Sequence, residues 1–192
     1  MLVAKVANHE GLMTKHNLIC HTDSDDAAVT SLLVELKILP EGRLQLSYEL
    51  TGNLTQLRMP EPQPPAAVDG LWNHSCFEAF IAVEGDAGYH EFNFSPSGQW
   101  AAYSFSDYRV RSGWTVSLAP TIGVTRTAGR LLLVAVIAVA DLPPNRPGKP
   151  FQLGLTAVIE ANDGNRSYWA LHHPEVHPDF HHRAGFILPF NN

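Results

Sequence analysis

LWNHSCFEAFIAVEGDAGYHEFNFSPSGQWAAYSFSDYR, residues 71–109, predicts three β-strands joined by two tight turns. Side chains alternate between faces along a strand. Phe77, Ala79, Ile81 and Val83 therefore share one face of the first strand, and Cys76, Glu78, Phe80 and Ala82 share the other. Gly85-Asp86-Ala87-Gly88 reverses the chain. In Tyr89 to Ser95, Phe92 and Phe94 lie opposite Glu91, Asn93 and Ser95. A four-residue loop pairs Ala82 with Glu91, Phe80 with Asn93 and Glu78 with Ser95. The apolar sets then form core, while Glu78, Glu91, Asn93 and Ser95 collect on the other side. Ser95-Pro96-Ser97-Gly98 makes the second turn and feeds Gln99 to Phe105. One slip of register exchanges the faces of this third strand. Either Trp100, or the pair Gln99 and Tyr103, joins the polar face.

The flanking sequence continues in the same idiom. Leu32, Val34, Leu36 and Ile38, then Leu44, Leu46, Tyr48 and Leu50, alternate with polar residues on either side of Pro40-Glu41-Gly42. That pattern predicts a β-hairpin with one buried face. A helix over residues 24–39, begun by Asp25 and Asp26, is the rival reading. PEPQPP (60–65) offers few backbone donors and predicts an extended surface loop. Further strands are expected over 113–118, 121–127, 130–140, 151–160, 166–172 and 184–190, with a proline-rich loop at 142–150. Many short strands between Gly/Pro turns predict an all-β fold with little helix. The expected architecture is a single antiparallel β-sandwich domain over residues 1–192, of jelly-roll or immunoglobulin-like topology.

Composition narrows the function classes. The 192 residues are 45% hydrophobic and 17% charged, as in ordinary globular proteins. A net charge of −6 and no basic cluster larger than Arg109 with Arg111 argue against a nucleic-acid partner. The longest apolar run, Leu131 to Ala140, is too short to cross a bilayer as a helix. The first residues carry no apolar core of signal-peptide length, which predicts a cytoplasmic location. Two cysteines, Cys20 and Cys76, define neither a disulfide framework nor a metal motif. Oligomeric state is left open, and pairing through sheet edges would make the chain an interaction module instead.

The polar face of the central strands suits a sugar, because aromatic rings stack on apolar sugar faces while carboxylates and amides bind hydroxyls. An ordinary solvated sheet face would show the same alternation. Two carboxylates on adjacent strands also invite a glycosidase reading.

Leu71-Trp72, Cys76 to Ile81, Glu91 to Trp100 and Tyr168 to Leu171 carry a resemblance to a known family. At these residues the chain resembles the DOMON-like superfamily, and within it bacterial proteins similar to family 9 carbohydrate-binding modules. The resemblance implies a β-sandwich whose sugar-binding members clamp a terminal sugar between two tryptophans, helped by acidic, amide and arginine side chains. It puts Trp72, Glu78 and Trp169 in the roles of first tryptophan, carboxylate and second tryptophan. Asn93, Gln99 and Arg109 are carried over as helpers. Other superfamily members bind haem through Met and His; the internal methionines Met13 and Met59 fit a core-filling role as well. No cofactor is the leading expectation, with haem or a divalent metal behind it.

The remaining concentration of chemistry is His172, His173, His177, His181 and His182, with Glu175 and Asp179 among them. Imidazole and carboxylate ligands suit Zn²⁺, and His173, His177 and His181 are the candidate ligands, which would make a metal-dependent enzyme. Pro174 and Pro178 prevent that spacing from lying on one helical face. Alternatively the segment folds over the polar face and closes a pocket, with His181 supplying a polar contact and Phe180 anchoring the loop. The leading expectation is a non-catalytic module for a small polar ligand, most plausibly a sugar. Its contacts would be Trp72, Glu78, Asn93, Gln99, Trp100 or Tyr103, Arg109, Trp169 and His181.

Overall fold

The computed structural model describes residues 13–24, 28–145 and 148–191. In chain order its strands begin with β1 (Met13–Asn17), β2 (Ile19–Cys20), β3 (Val29–Ile38), β4 (Leu44–Gly52), β5 (Cys76–Val83) and β6 (Tyr89–Phe94). They continue with β7 (Trp100–Asp107), β8 (Val110–Ser112), β9 (Thr121–Arg126), β10 (Arg130–Ile137), β11 (Phe151–Glu160), β12 (Arg166–Ala170) and β13 (Leu188–Phe190). Two antiparallel sheets result. The smaller runs β1-β3-β4-β10-β9, and the larger runs β2-β12-β11-β5-β6-β7-β8 with β13 also on β11. The expected all-β sandwich is therefore present. Among the described residues no helix is long and apolar enough to cross a membrane.

Alternation decides where the core sits. Leu32, Val34 and Leu36 of β3, Leu44, Leu46, Tyr48 and Leu50 of β4, and Leu131, Leu133 and Ala135 of β10 are all buried. They meet Phe77, Ala79 and Ile81 of β5, Phe92 and Phe94 of β6, and Leu153, Leu155 and Ala157 of β11 in one cluster. The hairpin reading of 29–52 holds, with a turn in which Glu41 (φ 65°) and Gly42 (φ 72°) both take left-handed backbone. Residues 25–27 of the rival helix span lie outside the described residues.

The smaller sheet has a solvated outer face; the larger one does not. Every residue of β5 and β6 is buried. Phe80, Ala82, Tyr89, Phe105 and Phe186 form a second apolar cluster on the outer face. Gly154 makes this possible: a Cβ there would lie 2.7 Å from the Phe186 ring, so the ring packs directly on the backbone of β11.

Several boundaries differ from the expectation. The β5–β6 pairing is Ala82 with Tyr89, Phe80 with Glu91 and Glu78 with Asn93, two residues from the expected register. Pairing ends at Ala82 and Tyr89, and the connection over 83–88 is closed by the Asp86 N–H donating to the Val83 carbonyl while Glu84 continues the β11 ladder through Pro150. A two-residue shift preserves every face. Residues 113–118 are not a strand. The Asp141 carboxylate, fully buried, accepts the backbone N–H groups of Ser117 and Leu118. Trp114 stacks on His90 with ring centroids 4.1 Å apart. Only 188–190 of the expected 184–190 strand pairs, because Arg183–Gly185 forms a 3-10 turn that delivers Phe186 to the outer face. The edge strands β1, β2 and β8 were not expected.

One hydrogen bond joins the sheets directly behind the polar face: the Tyr48 hydroxyl, fully buried in β4, donates to the Glu78 carbonyl of β5 at 2.7 Å. Tyr48→Phe keeps the ring and removes only that bond. It is expected to lower stability by about 1 kcal/mol in urea denaturation, with an unchanged denaturant slope. A change near zero would show that the bond adds nothing to the packing of the ring.

Candidate binding site

Residues paired across an antiparallel sheet share a face, so the ladder arranges the outer face of the larger sheet in rows. Thr156, Glu78, Asn93 and Ala101 form one row, and Gly154, Phe80, Glu91 and Tyr103 the next. Glu78 and Glu91 are thus diagonal neighbours, 3% and 5% exposed. A cleft of about 390 Å³ opens above them. Its walls include Trp72, Arg109, Arg111, Arg166, Tyr168 and Phe180, with Pro178 and His181 reaching in from the loop after β12.

Burial governs the charge state of the floor. Burial pushes the Glu78 carboxyl well above the usual carboxylate range, the adjacent Glu91 adds to the push, and the Thr156 hydroxyl, donating at 3.3 Å, opposes it. Burial also lifts Glu91 to about 7, against the lowering effect of the Asn93 amide (2.8 Å) and of Arg111 and Arg109. Asn93 is itself fully buried, and its Oδ1 has no hydrogen-bond partner among the described residues. A protonated Glu78 or a ligand hydroxyl has the donor that this oxygen lacks.

A network ties the loop to the sheet. The Tyr89 hydroxyl accepts the backbone N–H of Arg109 at 3.1 Å and lies 2.8 Å from Nδ1 of His181. With the hydroxyl as donor, His181 is the neutral tautomer with its proton on Nε2, which faces Glu91 Oε2 at 3.8 Å, beyond hydrogen-bond length. Burial, with help from Arg109 and Arg111, pushes the imidazole down to about 4, in keeping with that tautomer. Asp179 accepts from Arg109 Nη2 (2.8 Å) and the Tyr108 hydroxyl (2.7 Å), fixing the loop against the β7–β8 turn. Arg109 closes that turn with left-handed backbone (φ 56°).

Arg111 is held by rings rather than by hydrogen bonds. Its guanidinium lies 4.1 Å from the Tyr103 ring centre and 5.8 Å from that of Trp72, and the two rings meet edge-on at 5.6 Å. The Tyr103 hydroxyl donates to Asp69.

The structure brings together Trp72, Glu78, Arg109 and His181 around the cleft, with Asn93 and Tyr103 supporting them from the same face. It separates three others. Trp169 pairs with Ala157 on the inner face, is 5% exposed, and gives its indole N–H to Ser167. Adjacent strand residues face opposite ways, so Tyr168 takes the cleft position that the resemblance implied for Trp169. Trp100 pairs with Phe94, on the face turned to the other sheet, and binds Ala66 and Val68 through its backbone. Gln99 precedes β7, accepts the Ser97 hydroxyl at 3.3 Å and does not line the cleft.

The histidines diverge: His173 Nε2 meets the Ile19 carbonyl, His177 meets Asp23, and His181 meets Tyr89. Among the described residues no group of three or more His, Cys, Asp or Glu is placed to hold a metal ion. Met13 is 61% exposed and Met59 packs against the core, both outside the cleft. Sequence reasoning missed Arg166, Tyr168 and the role of Arg111. Parity along β12 was the available signal for Tyr168; Arg111 lies on β8, a strand with no sequence signature.

No family model matches the sequence, and no curated protein matches it. The fold is similar to a crystal structure of a protein from Bacteroides uniformis proposed to bind carbohydrate. That likeness has a TM-score of 0.66 and 16% sequence identity, over 93% of this chain and 87% of that one. It establishes the fold.

The buried Glu91 has a stability signature. Its folded-state value near 7 exceeds the ordinary 4.5, so the folded chain holds a proton that the unfolded chain releases between these values. Stability from this group is full below about pH 4.5 and is lost as pH rises to about 7. His181 works in the opposite sense between 6.5 and about 4, so the informative quantity is the difference between two proteins. Glu91→Gln is expected to gain on the wild type by about 3 kcal/mol between pH 4.5 and 7.5. Denaturant midpoints across that range check it; a constant difference would show that Glu91 titrates normally.

Proposed function

We propose that the chain is a non-catalytic binding module whose outer-sheet cleft takes a small polar ligand, a carbohydrate. One observation carries this reading: Trp72, Tyr168 and Phe180 frame a floor of two buried carboxyl groups, both shifted by burial toward the protonated form, with arginines at the rim. A sugar ring offers an apolar C–H face to aromatic surfaces and hydroxyls at its edge. A protonated carboxyl can both donate to and accept from such hydroxyls. The cleft volume of about 390 Å³ falls within the span of small-molecule sites. The likeness in fold to a protein proposed to bind carbohydrate supports the same reading. We assign the chain to the DOMON-like superfamily, beside family 9 carbohydrate-binding modules, on the strength of the motifs around Trp72, Glu78 and Glu91–Trp100. Of the two tryptophans in that family's clamp, this chain would keep Trp72 and put Tyr168 in place of the other.

Calorimetric titration with a panel of mono- and oligosaccharides tests this. At least one sugar is expected to bind, and Trp72→Ala and Glu78→Ala are each expected to weaken it at least tenfold, about 1.4 kcal/mol. No binding across the panel, or binding indifferent to both substitutions, would sink the reading.

The raised carboxyl pair favours one second reading, glycoside hydrolysis with a protonated Glu78 as general acid. Turnover of nitrophenyl glycosides that disappears in Glu78→Gln would replace the binding reading with that one.

A further inference from the structure

Resting on the carbohydrate reading, we propose that the cleft selects an acidic saccharide, one bearing a carboxylate or a phosphate, through the guanidinium groups of Arg111 and Arg166.

The argument begins with unused donors. An arginine carries five N–H donors in a planar fork that matches two oxygens of a carboxylate or phosphate. Arg109 spends its fork on Asp179 and Tyr108. Arg166, at the start of β12, has no hydrogen bond or ion pair from its guanidinium among the described residues. Arg111 makes no hydrogen bond either; its nearest acid, Asp69, stands 3.9 Å away and is already the acceptor for Tyr103. The Tyr103 and Trp72 rings hold Arg111 in place while leaving its N–H edge open. Two guanidinium groups without a hydrogen-bond acceptor line one cleft, and the rings hold that of Arg111 in place.

The charge balance points the same way. The chain as a whole is acidic, at −6, yet three of its 13 basic residues line this cleft. The only acidic residues on its walls are Glu78 and Glu91, and burial drives both toward the uncharged form. A neutral ligand would leave Arg166 without a counterpart and Arg111 with only Asp69, at 3.9 Å. A cationic ligand would face them directly. An anionic group at the rim, with sugar hydroxyls reaching the neutral floor, satisfies both zones.

Placement indicates the extent of the ligand. Arg111 belongs to β8 at one edge of the larger sheet, beside Phe105, whereas Arg166 opens β12 on the far side of β11, β5, β6 and β7. A monosaccharide acid can reach one fork; a short acidic oligosaccharide can reach both.

The test is titration calorimetry with neutral probes (glucose, cellotriose) and acidic probes (glucuronate, glucose 6-phosphate, trigalacturonate), on the wild type, Arg111→Gln, Arg166→Gln and the double variant. At least one acidic probe is expected to bind at least tenfold more tightly than either neutral sugar, with affinity falling as salt rises. That preference is expected to drop at least fivefold in one single variant and to vanish in the double variant. Glucuronate or trigalacturonate without glucose 6-phosphate identifies a carboxylate as the group read; the reverse identifies a phosphate. Neutral sugars binding as tightly as every acidic probe would overturn this inference and leave the carbohydrate reading standing. A preference that survives the double variant would also overturn it. Binding of no probe would overturn the inference together with the reading beneath it.

Discussion

The central strands of the larger sheet are buried on both faces, and the rest of the molecule is organised around that constraint. A sheet with one wet face can carry polar side chains there at no cost. β5 and β6 cannot, because the smaller sheet covers one side and the segment after β12 covers the other. Every polar group on the covered outer face must find a partner inside the protein or change its charge state. Asn93 turns to Glu91, Thr156 to Glu78, and Tyr89 to His181. The two carboxyls lack a close cation, and burial raises both toward the protonated form.

That solution separates charge from its opposite. The arginines stand at the rim, Arg109 engaged by Asp179 and Arg111 by aromatic rings, and none reaches the carboxyls within ion-pair distance. Had Arg109 or Arg111 closed on Glu91, the floor would be an ordinary ion pair and the cleft would be filled. Burying two raised carboxyls under a cationic rim costs folding stability once the pH exceeds the ordinary carboxylate range. Gly154 serves the same arrangement from below, since its missing side chain lets Phe186 seal the apolar end of the face.

The sandwich was legible in the sequence because period-two alternation survives the burial of both faces. Phe77, Ala79 and Ile81 read as core next to Glu78 and Phe80 whatever covers the latter. Register was less legible: the Glu84 N–H pairs with Pro150, a partner no local pattern announces, and the hairpin shifts by two residues. The faces came through that shift intact, so Glu78, Glu91 and Asn93 could still be grouped. Residues 113–118 misled for a tertiary reason, since Asp141, far along the chain, captures their amides. Trp169 was misplaced by analogy where parity would have served better. Next to Tyr168 on one strand, only one of the two can face the cleft, and the bulkier indole fills the core.

The cleft has two unlike sides, and the hydrogen bonds explain why. On the β7–β8 side, the Arg109 backbone N–H bonds the Tyr89 hydroxyl, that hydroxyl meets the His181 ring, and Asp179 takes both the His181 backbone N–H and the Arg109 guanidinium. Each member fixes the next, and an unprotonated His181 leaves Nδ1 able to accept the Tyr89 proton. Loop, turn and arginine are therefore positioned as one unit. On the β12 side nothing comparable restrains Arg166; only the ladder pairing of its backbone with Glu160 holds it. Tyr168 and Phe180 meet there with ring centroids 6.0 Å apart, so the apolar wall is built while the guanidinium beside it makes no hydrogen bond among the described residues. One side of the cleft is thus fixed by hydrogen bonds, and the other by aromatic packing alone.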